Sequence, residues 1–264
     1  MLKQRKHFFE LIDQTWWPHS WRQCMTEYLS FVINKTGLFA SNVSRLAAAL
    51  DKTRAQALLD LCAGDGGLWA SVQPLLSART QVNRILLTDL FPSPTARHAA
   101  ITDSTLFEYV EEPVDALHVS PHLAGFRTLW NGFHHFSEPQ AVQILSDAIN
   151  AQTGIAIFEG THRDLPSVLA MILLVPPLVL FVTPFIRPFR WSRLIFTYLI
   201  PVLPLAIGFD GAVSCLRVYS PDELRALIAQ ADPEHQFDWE IGEDKVEKQA
   251  AVITYLIGTP KGKS

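Results

Sequence analysis

From residue 57 onward, short apolar runs alternate with stretches in which apolar residues recur at helical spacing. Glycine, proline or acidic residues bound each apolar run, which is typical of buried strands. Strands that alternate with helices indicate βαβ units, so the pattern predicts an α/β fold with a mostly parallel sheet covered on both faces. The predicted strands are Ala57–Leu61, Arg84–Leu90, Leu106–Val110, Phe126–Asn131, Gly154–Glu159 and an antiparallel terminal pair, Phe237–Ile241 and Ala250–Ile257. The predicted helices among them are Leu68–Leu76, Thr95–Ile101, Pro139–Asn150 and Pro221–Ala229.

Residues 1–56 precede the first predicted strand and have a helical pattern. Apolar residues recur irregularly from Phe8 to Phe31, and Pro18 interrupts them, which predicts two short helices that meet at the proline. A third helix is predicted over Val43–Leu50, so the region is interpreted as a helical cap. Its aromatic residues form either a lid over a bound ligand or the core of the cap. The aromatic residues are Phe9, Trp16, Trp17 and Trp21, and the acidic residues Glu10 and Asp13 lie between them.

Residues 165–209 interrupt the α/β pattern with a strongly apolar insert. The segment 168–186 has 15 apolar residues in 19, and the segment 194–209 has 12 in 16. A membrane-spanning helix needs about 20 predominantly apolar residues, so the first segment is barely long enough and the second is too short. Both segments contain prolines, which further weakens the interpretation of either one as a membrane-spanning helix. We expect a hydrophobic helical hairpin that enters one leaflet or covers an apolar substrate pocket; a fully buried helical pair is the alternative.

Charge and cysteine usage narrow the class of protein. Only 18% of residues are charged, against about 25% in a typical soluble domain, and the insert contributes just Arg187, Arg190 and Arg193. At the turn of the insert, these arginines are expected at lipid headgroups. The net charge of −4 argues against nucleic-acid binding.

Three cysteines far apart indicate a reducing compartment, and with no secretory signal visible the chain is predicted to be cytoplasmic. Residues 165–209 would associate it with the inner face of the membrane. No metal site is predicted, because no histidine pair has a cysteine or carboxylate partner at ligand spacing. Nothing in the sequence indicates an oligomeric state.

The sharpest motif joins the first predicted strand to a glycine-rich turn and a helix. Its sequence, Asp60-Leu-Cys-Ala-Gly64-Asp-Gly66-Gly, lets the backbone approach a ligand at the helix N-terminus. Asp89 ends the next predicted strand, 23 residues after Gly66, where a carboxylate accepts hydrogen bonds from a ribose diol. A nicotinamide dinucleotide site requires a third glycine for close helix packing, and Trp69 occupies that position here. The spacing therefore argues against a nicotinamide cofactor.

The acid followed by x-x-x-Gly-x-Gly resembles motif I of class I S-adenosylmethionine-dependent methyltransferases, with Cys62 at the family's first glycine. The resemblance implies a three-layer Rossmann-like fold built from residues 57–164 and 210–264, with an antiparallel last strand. It also implies S-adenosyl-L-methionine as cofactor and S-adenosyl-L-homocysteine as product. The residues it places at the cofactor are Asp60, Cys62, Gly64, Asp65, Gly66, Asp89, Leu90, Asp115, Ala116 and Asn131.

Two histidines follow the fourth predicted strand at the edge of the sheet where ligands bind. His134 or His135 is the candidate general base for a hydroxyl acceptor, since histidine titrates near neutrality; the alternative is a structural role for both. The expected acceptor is a hydrophobic small molecule or a lipid. A non-catalytic membrane-associated binding or assembly protein and a nucleotide-dependent oxidoreductase are the alternative functions. Candidate acceptor-binding residues are Glu159, His162, Arg217 and Tyr219.

Overall fold

The protein is described from a computed structural model covering residues 2, 4–92, 105–246 and 251–262. A seven-stranded sheet with the order β3-β2-β1-β4-β5-β7-β6 forms its centre. The predicted helix Thr95–Ile101 lies outside the described residues. The strands are β1 (Ala57–Leu61), β2 (Arg84–Leu87), β3 (Phe107–Tyr109), β4 (Phe126–Trp130), β5 (Ile155–Glu159), β6 (Phe237–Lys245) and β7 (Val252–Pro260).

Strand β7 is the one strand in this sheet that runs against the others. It pairs antiparallel with β5 on one side and with β6 on the other, whereas β1 pairs parallel with β2 and β4. The chain order reverses between β1 and β4, which opens a crevice at the carboxyl ends of these two strands. The predicted α/β fold, with a mostly parallel sheet and a reversed last strand, is confirmed.

Helices cover both faces of the sheet and also form the cap and the insert. The local sequence explains where the last helix begins. The hydroxyl of Ser220 accepts the N–H of Glu223, and Pro221 occupies the first turn of this helix. The helices are α1 (His19–Thr36), α2 (Val43–Thr53), α3 (Trp69–Ser77), α4 (Glu138–Asn150), α5 (Leu165–Leu173), α6 (Val175–Val182), α7 (Trp191–Leu194), α8 (Val202–Arg217) and α9 (Pro221–Ala231).

The helix predicted before Pro18 is wrong. Residues 5–10 are extended or irregular and residues 11–17 form turns, so the first helix begins at His19. The backbone N–H groups of Leu11 and Ile12 donate to the carboxylate of Asp210, at 2.8 and 3.0 Å. Because a side chain from α8 takes these donors, this segment is held by tertiary contacts instead of helical hydrogen bonds.

The insert is a packed group of helices on α1 and α8. Gly208 and Gly211 let α5 and α6 approach α8 closely: a Cβ at Gly208 would lie 2.9 Å from Pro176, and one at Gly211 would lie 2.9 Å from the sulfur of Met171. Helix α8 continues to Arg217, past residue 209 where the insert was expected to end. The insert and the α/β domain therefore share one continuous helix.

Two of the three arginines of the insert pair with a buried acid. Glu27 of α1 lies 2.8 Å from Nε of Arg190 and pairs with Nη1 of Arg193, and Arg193 is buried. Arg193 also donates to the carbonyls of Ile186 and Pro188, at 2.7 and 2.6 Å. The expected headgroup position is thus wrong for Arg193, whose charge is neutralised inside the protein.

In the described part of the chain, no single helix is both long and apolar enough to cross a bilayer. Two bent helix pairs reach the necessary length and composition together. They are Leu165–Leu173 with Val175–Phe185, bent by 42°, and Trp191–Leu199 with Val202–Arg217, bent by 82°.

Replacing Glu27 by alanine is expected to lower the free energy of unfolding by about 3–5 kcal/mol, because it leaves the buried Arg193 without its counter-charge. Urea unfolding measures this loss. The control is Glu108→Ala, which breaks the exposed pair with Arg84 and should cost less than about 1 kcal/mol. Equal losses for the two variants would contradict the assignment of Glu27 as the anchor of the insert.

Candidate active-site cleft

A cleft of about 570 Å³ lies at the carboxyl ends of β1, β2 and β4, in the crevice where the chain order reverses. Residues 62–65, 89–91 and 130–132, which follow these strands, form its floor. The irregular segment 7–14 and one side of α1 form its roof. The cleft is therefore enclosed between the sheet edge and the N-terminal region.

The glycine loop after β1 needs left-handed backbone at several positions. Gly64 and Gly66 have φ of +60° and +69°, and Cys62 also adopts a left-handed φ of +58°. Only glycine takes this conformation without cost, which explains the motif. A Cβ on Gly67 would lie 2.6 Å from that of Ser30, so the loop packs directly against α1.

Asp65 fastens this loop to α1. Its Oδ1 accepts the N–H of Gly67 at 2.9 Å and the hydroxyl of Ser30 at 2.5 Å. Asn34, one turn further along α1, donates to the carbonyl of Gly67 at 2.6 Å. Burial raises the pKa of Asp65, and these hydrogen bonds oppose the rise.

Asp89 presents a half-buried carboxylate to the cleft. Its Oδ2 accepts the N–H of Gly64 at 2.8 Å, and its Oδ1 accepts the N–H of Phe91 at 2.8 Å. An ionised carboxylate has about four acceptor sites, so two remain for a ligand. Asp89 thus links the ends of β1 and β2 and keeps the capacity to bind a diol.

Asp60, which the motif resemblance places at the cofactor, is buried and does not line the cleft. The side chain is 0% exposed; Oδ1 accepts the hydroxyl of Thr128 and Oδ2 accepts the indole N–H of Trp69, both at 2.7 Å. Trp69 is itself fully buried at the position of the third glycine of a dinucleotide site. Asp60 therefore satisfies a buried donor, and burial raises its pKa to about 7.

His135 is the histidine that lines the cleft. Its Nδ1 lies 2.8 Å from Oδ1 of Asp13 and 3.2 Å from Oε2 of Glu10. Burial lowers the pKa of His135, but the two carboxylates outweigh burial and raise the pKa to about 9. Burial likewise raises the pKa of Asp13, and His135 and Arg217 together reverse this and bring it to about 2. The pair is a charged imidazolium–carboxylate pair at neutral pH.

His134 is buried behind His135 and does not line the cleft. Its Nδ1 lies 2.6 Å from Oε2 of Glu159, whose Oε1 accepts the N–H groups of Phe133 and His134 at 2.6 and 3.1 Å. The two histidine rings are tilted by 32° to each other, with centroids 4.3 Å apart. Glu159 thus fixes the turn after β4, and His134 supports the ring that faces the cleft.

Arg217, at the end of α8, joins this network from the insert side. It is 1% exposed, and its Nη1 lies 2.9 Å from Asp13 and 3.4 Å from Glu10. Its Nε donates to the carbonyl of His134 at 3.1 Å. Glu10 and Asp13 are the functional residues that sequence reasoning did not assign a role; their signal was two acids within an otherwise aromatic segment.

Glu10, His134 and His135 also bring three ligand-type atoms within 4.8 Å of one another. The sequence did not suggest this group, because Glu10 lies far from the histidines along the chain. The guanidinium of Arg217 already lies 3.4 Å from Glu10 and supplies positive charge at that carboxylate.

The structure brings about half of the predicted site residues together. Those that line the cleft are Cys62, Gly64, Asp65, Asp89, Leu90, Asn131, His135 and Arg217. Those outside its lining are Asp60, Gly66, Asp115, Ala116, His134, Glu159, His162 and Tyr219.

Four of the outlying residues have structural partners instead. Asp115 accepts the N–H of Leu117 at 2.9 Å, and Ala116 is buried in the core. His162 pairs with Asp164 at 2.8 Å. Tyr219 is buried, and its hydroxyl donates to the carbonyl of Phe136 at 2.8 Å. None of these four residues lines the cleft.

The aromatic residues of the cap divide between the two roles considered. Phe9 lines the cleft, whereas Trp17 and Trp21 pack in a cluster with Phe196 of the insert, Trp21 at a centroid distance of 5.0 Å from Phe196. Trp16 is exposed at the surface. The segment is thus partly cleft wall and partly core.

No protein-family model matches the sequence, and no curated protein matches it significantly. Solved structures do match the fold. The plantazolicin methyltransferase BpumL in complex with SAH superposes with a TM-score of 0.60 at 11% identity and covers 95% of each chain. The plantazolicin methyltransferase BamL in complex with a triazolic desmethylPZN analog and SAH gives 0.55 at 13% identity, over 94% of each chain.

Human N-acetylserotonin methyltransferase in complex with SAM gives a TM-score of 0.51 at 15% identity. That match covers 92% of this chain and 56% of the human one. At such low identities the similarity is one of fold. The chain has the fold of the class I S-adenosylmethionine-dependent methyltransferases.

Proposed function

We propose that the protein transfers a methyl group from S-adenosyl-L-methionine to a hydroxyl of a hydrophobic, phenolic or lipid-like acceptor at a membrane face. The observation that carries the proposal is the carboxylate of Asp89, which faces the cleft beside the glycine loop with acceptor capacity to spare. The fold neighbours that were crystallised with SAM or SAH support the same cofactor.

The residues of the cleft floor fit this cofactor. Asp89 would accept the two ribose hydroxyls with its remaining lone pairs. Gly64 would let the backbone come close to the ligand, because its positive φ and missing side chain leave the floor open. Cys62 and Asn131 line the cleft on either side of that position. When bound, S-adenosyl-L-methionine supplies an electrophilic methyl group on a sulfonium.

His135 is the residue of this chain that would take the proton of the acceptor hydroxyl. Asp13 and Glu10 stabilise its protonated form, so it is a strong base whose pKa is about 9. A phenolic hydroxyl has an ordinary pKa of about 10, so proton transfer to such a base is nearly balanced. At neutral pH the imidazole of His135 is protonated in most protein molecules. The neutral imidazole, which can act as a base, becomes more abundant as the pH rises.

The mouth of the cleft suits an apolar acceptor. Its lining includes Phe8, Phe9, Leu29, Leu90 and Phe91. Phe8, Phe9 and Leu90 are exposed there. Apolar walls exclude water from the acceptor and favour a ring or hydrocarbon chain over a charged molecule.

Calorimetric titration with S-adenosyl-L-methionine is expected to give micromolar binding, about −8 kcal/mol, that Asp89→Asn weakens at least about tenfold. Asparagine keeps the size of the side chain and one acceptor oxygen, whereas the charge and one of the two hydrogen bonds from the loop are lost. The matched control is Asp222→Asn, which removes an exposed carboxylate outside the cleft and should leave binding unchanged.

If the folded protein binds no S-adenosyl-L-methionine, or if the two variants lose affinity equally, the cofactor assignment fails. The non-catalytic binding protein would then be the better account of the fold.

His135 is expected to titrate near pH 9 when followed by NMR of its ring in histidine-labelled protein. Asp13→Asn should lower that pKa toward the ordinary value of about 6.5, because it removes the nearest carboxylate. With a hydroxyl acceptor, turnover should rise about tenfold per pH unit up to the pKa and then level off, since only the neutral imidazole acts as a base.

The replacement His134→Gln tests which histidine matters. It should leave the rise of turnover with pH in place, because His134 does not line the cleft. His135→Gln should abolish this rise of turnover with pH. An unchanged profile in His135→Gln would rule out its role as the base.

A further inference from the structure

The exposed apolar surface of the protein is concentrated in one part of the chain. Among the described residues, 23 large hydrophobic side chains are exposed, and 17 of them belong to the insert, residues 165–209. Several are almost as open as in an unfolded chain: Phe181 is 72% exposed, Trp191 73% and Leu199 77%. The other six are in the N-terminal region or at the cleft: Leu2, Phe8, Phe9, Trp16, Leu29 and Leu90. Exposed apolar surface on this scale indicates a binding face.

The inner side of the insert is already packed, so its outer side is the free one. Val179 and Ile186 are buried against Tyr28 of α1, and Leu203 and Ala206 are buried in the cluster that contains Trp17. The fold therefore uses one side of these helices as core and leaves the other unpartnered. A core helix pair, the alternative considered from the sequence, does not describe this arrangement.

The charge of the insert favours a bilayer. The insert contains no acidic residue, and two of its three arginines pair with Glu27. The third, Arg187, is exposed. Near it in sequence, Trp191 is exposed, and Tyr198 is half exposed with its hydroxyl on the carbonyl of Leu180 at 2.6 Å. An exposed cation with aromatic residues of this kind is characteristic of side chains at the lipid headgroup level.

This surface continues to the mouth of the cleft. Leu205 and Phe209 lie four residues apart on α8 and so share one face of the helix, and both are exposed. The ring of Phe209 lies 5.7 Å from the ring of Phe9, which lines the cleft. Phe8, beside it, is exposed and also lines the cleft.

We infer that the insert and the Phe8–Phe9 rim form one surface that docks into a single leaflet of an anionic bilayer without crossing it. The bends of 42° and 82° within its helix pairs suit an element that enters and leaves on the same side. Docked in this way, the cleft opens at the leaflet. For the function proposed above, on which this last step rests, the acceptor is then a lipid that reaches the cleft from the membrane along Phe209 and Phe9.

The full-length protein is tested by flotation with vesicles of phosphatidylcholine alone and of phosphatidylcholine mixed with phosphatidylglycerol. The wild type should float, more strongly with the anionic lipid. The variant L174Q/F181Q/L199Q should lose vesicle affinity by about a thousandfold, since each of the three exposed side chains contributes about tenfold on leaving water. Circular dichroism and thermal unfolding check that it remains folded.

Two further variants separate the contributions. K52Q/R84Q/R225Q removes three exposed cations outside the insert and should bind vesicles like the wild type. F8S/F9S should weaken vesicle binding by about tenfold or more if the cleft mouth faces the leaflet. Unchanged binding in F8S/F9S would overturn the orientation of the cleft.

Failure of the docking and failure of the cofactor site give different results. A wild type that binds S-adenosyl-L-methionine but does not float overturns the docking alone. A wild type that floats without binding the cofactor overturns the proposed function alone. If L174Q/F181Q/L199Q floats normally but changes a dimer into a monomer in sedimentation, a second copy of the chain covers the surface and the bilayer assignment is wrong.

Discussion

The arrangement of the molecule depends on the ion pairs of the buried Arg217 with Glu10 and Asp13. A guanidinium that is 1% exposed must be neutralised where it is buried, and here three parts of the chain meet to do so. The helix that carries it comes from the insert, Glu10 and Asp13 come from the N-terminal segment, and the carbonyl of His134 comes from the turn after β4. The segment 5–13 has no regular secondary structure, so these charges hold the roof of the cleft in place.

The same network joins the candidate base to the insert. Helix α8 has Phe209 on the exposed surface and Arg217 in the cleft, eight residues or about 12 Å apart. Asp210, next to Phe209, accepts the N–H groups of Leu11 and Ile12 and so fixes the segment that also carries Phe9. The apolar surface and the charged site are therefore connected by one helix, and in the proposed function an acceptor bound at the first would lie beside the second.

The sequence was informative where the signal is local. Strand β1, the glycine turn and Asp89 follow from apolar runs, glycines and the residues at strand ends, all of which a short stretch of sequence contains. It failed where a partner lies far along the chain. The helix expected before Pro18 is absent because Asp210 takes its backbone donors, and Arg193 is buried because Glu27 lies opposite. Helical periodicity carries no information about either partner.

The carboxylate of Asp60 in the glycine motif is satisfied inside the core. With Trp69 at the position where a dinucleotide site has glycine, a buried indole N–H needs an acceptor, and Asp60 supplies it. Asp89 is then left as the strand-end carboxylate that reaches the cleft. A similar constraint acts at His135: Asp13 both raises the pKa of this histidine and balances Arg217. The strength of the base and the position of the roof therefore depend on the same carboxylate, and neither can change without the other.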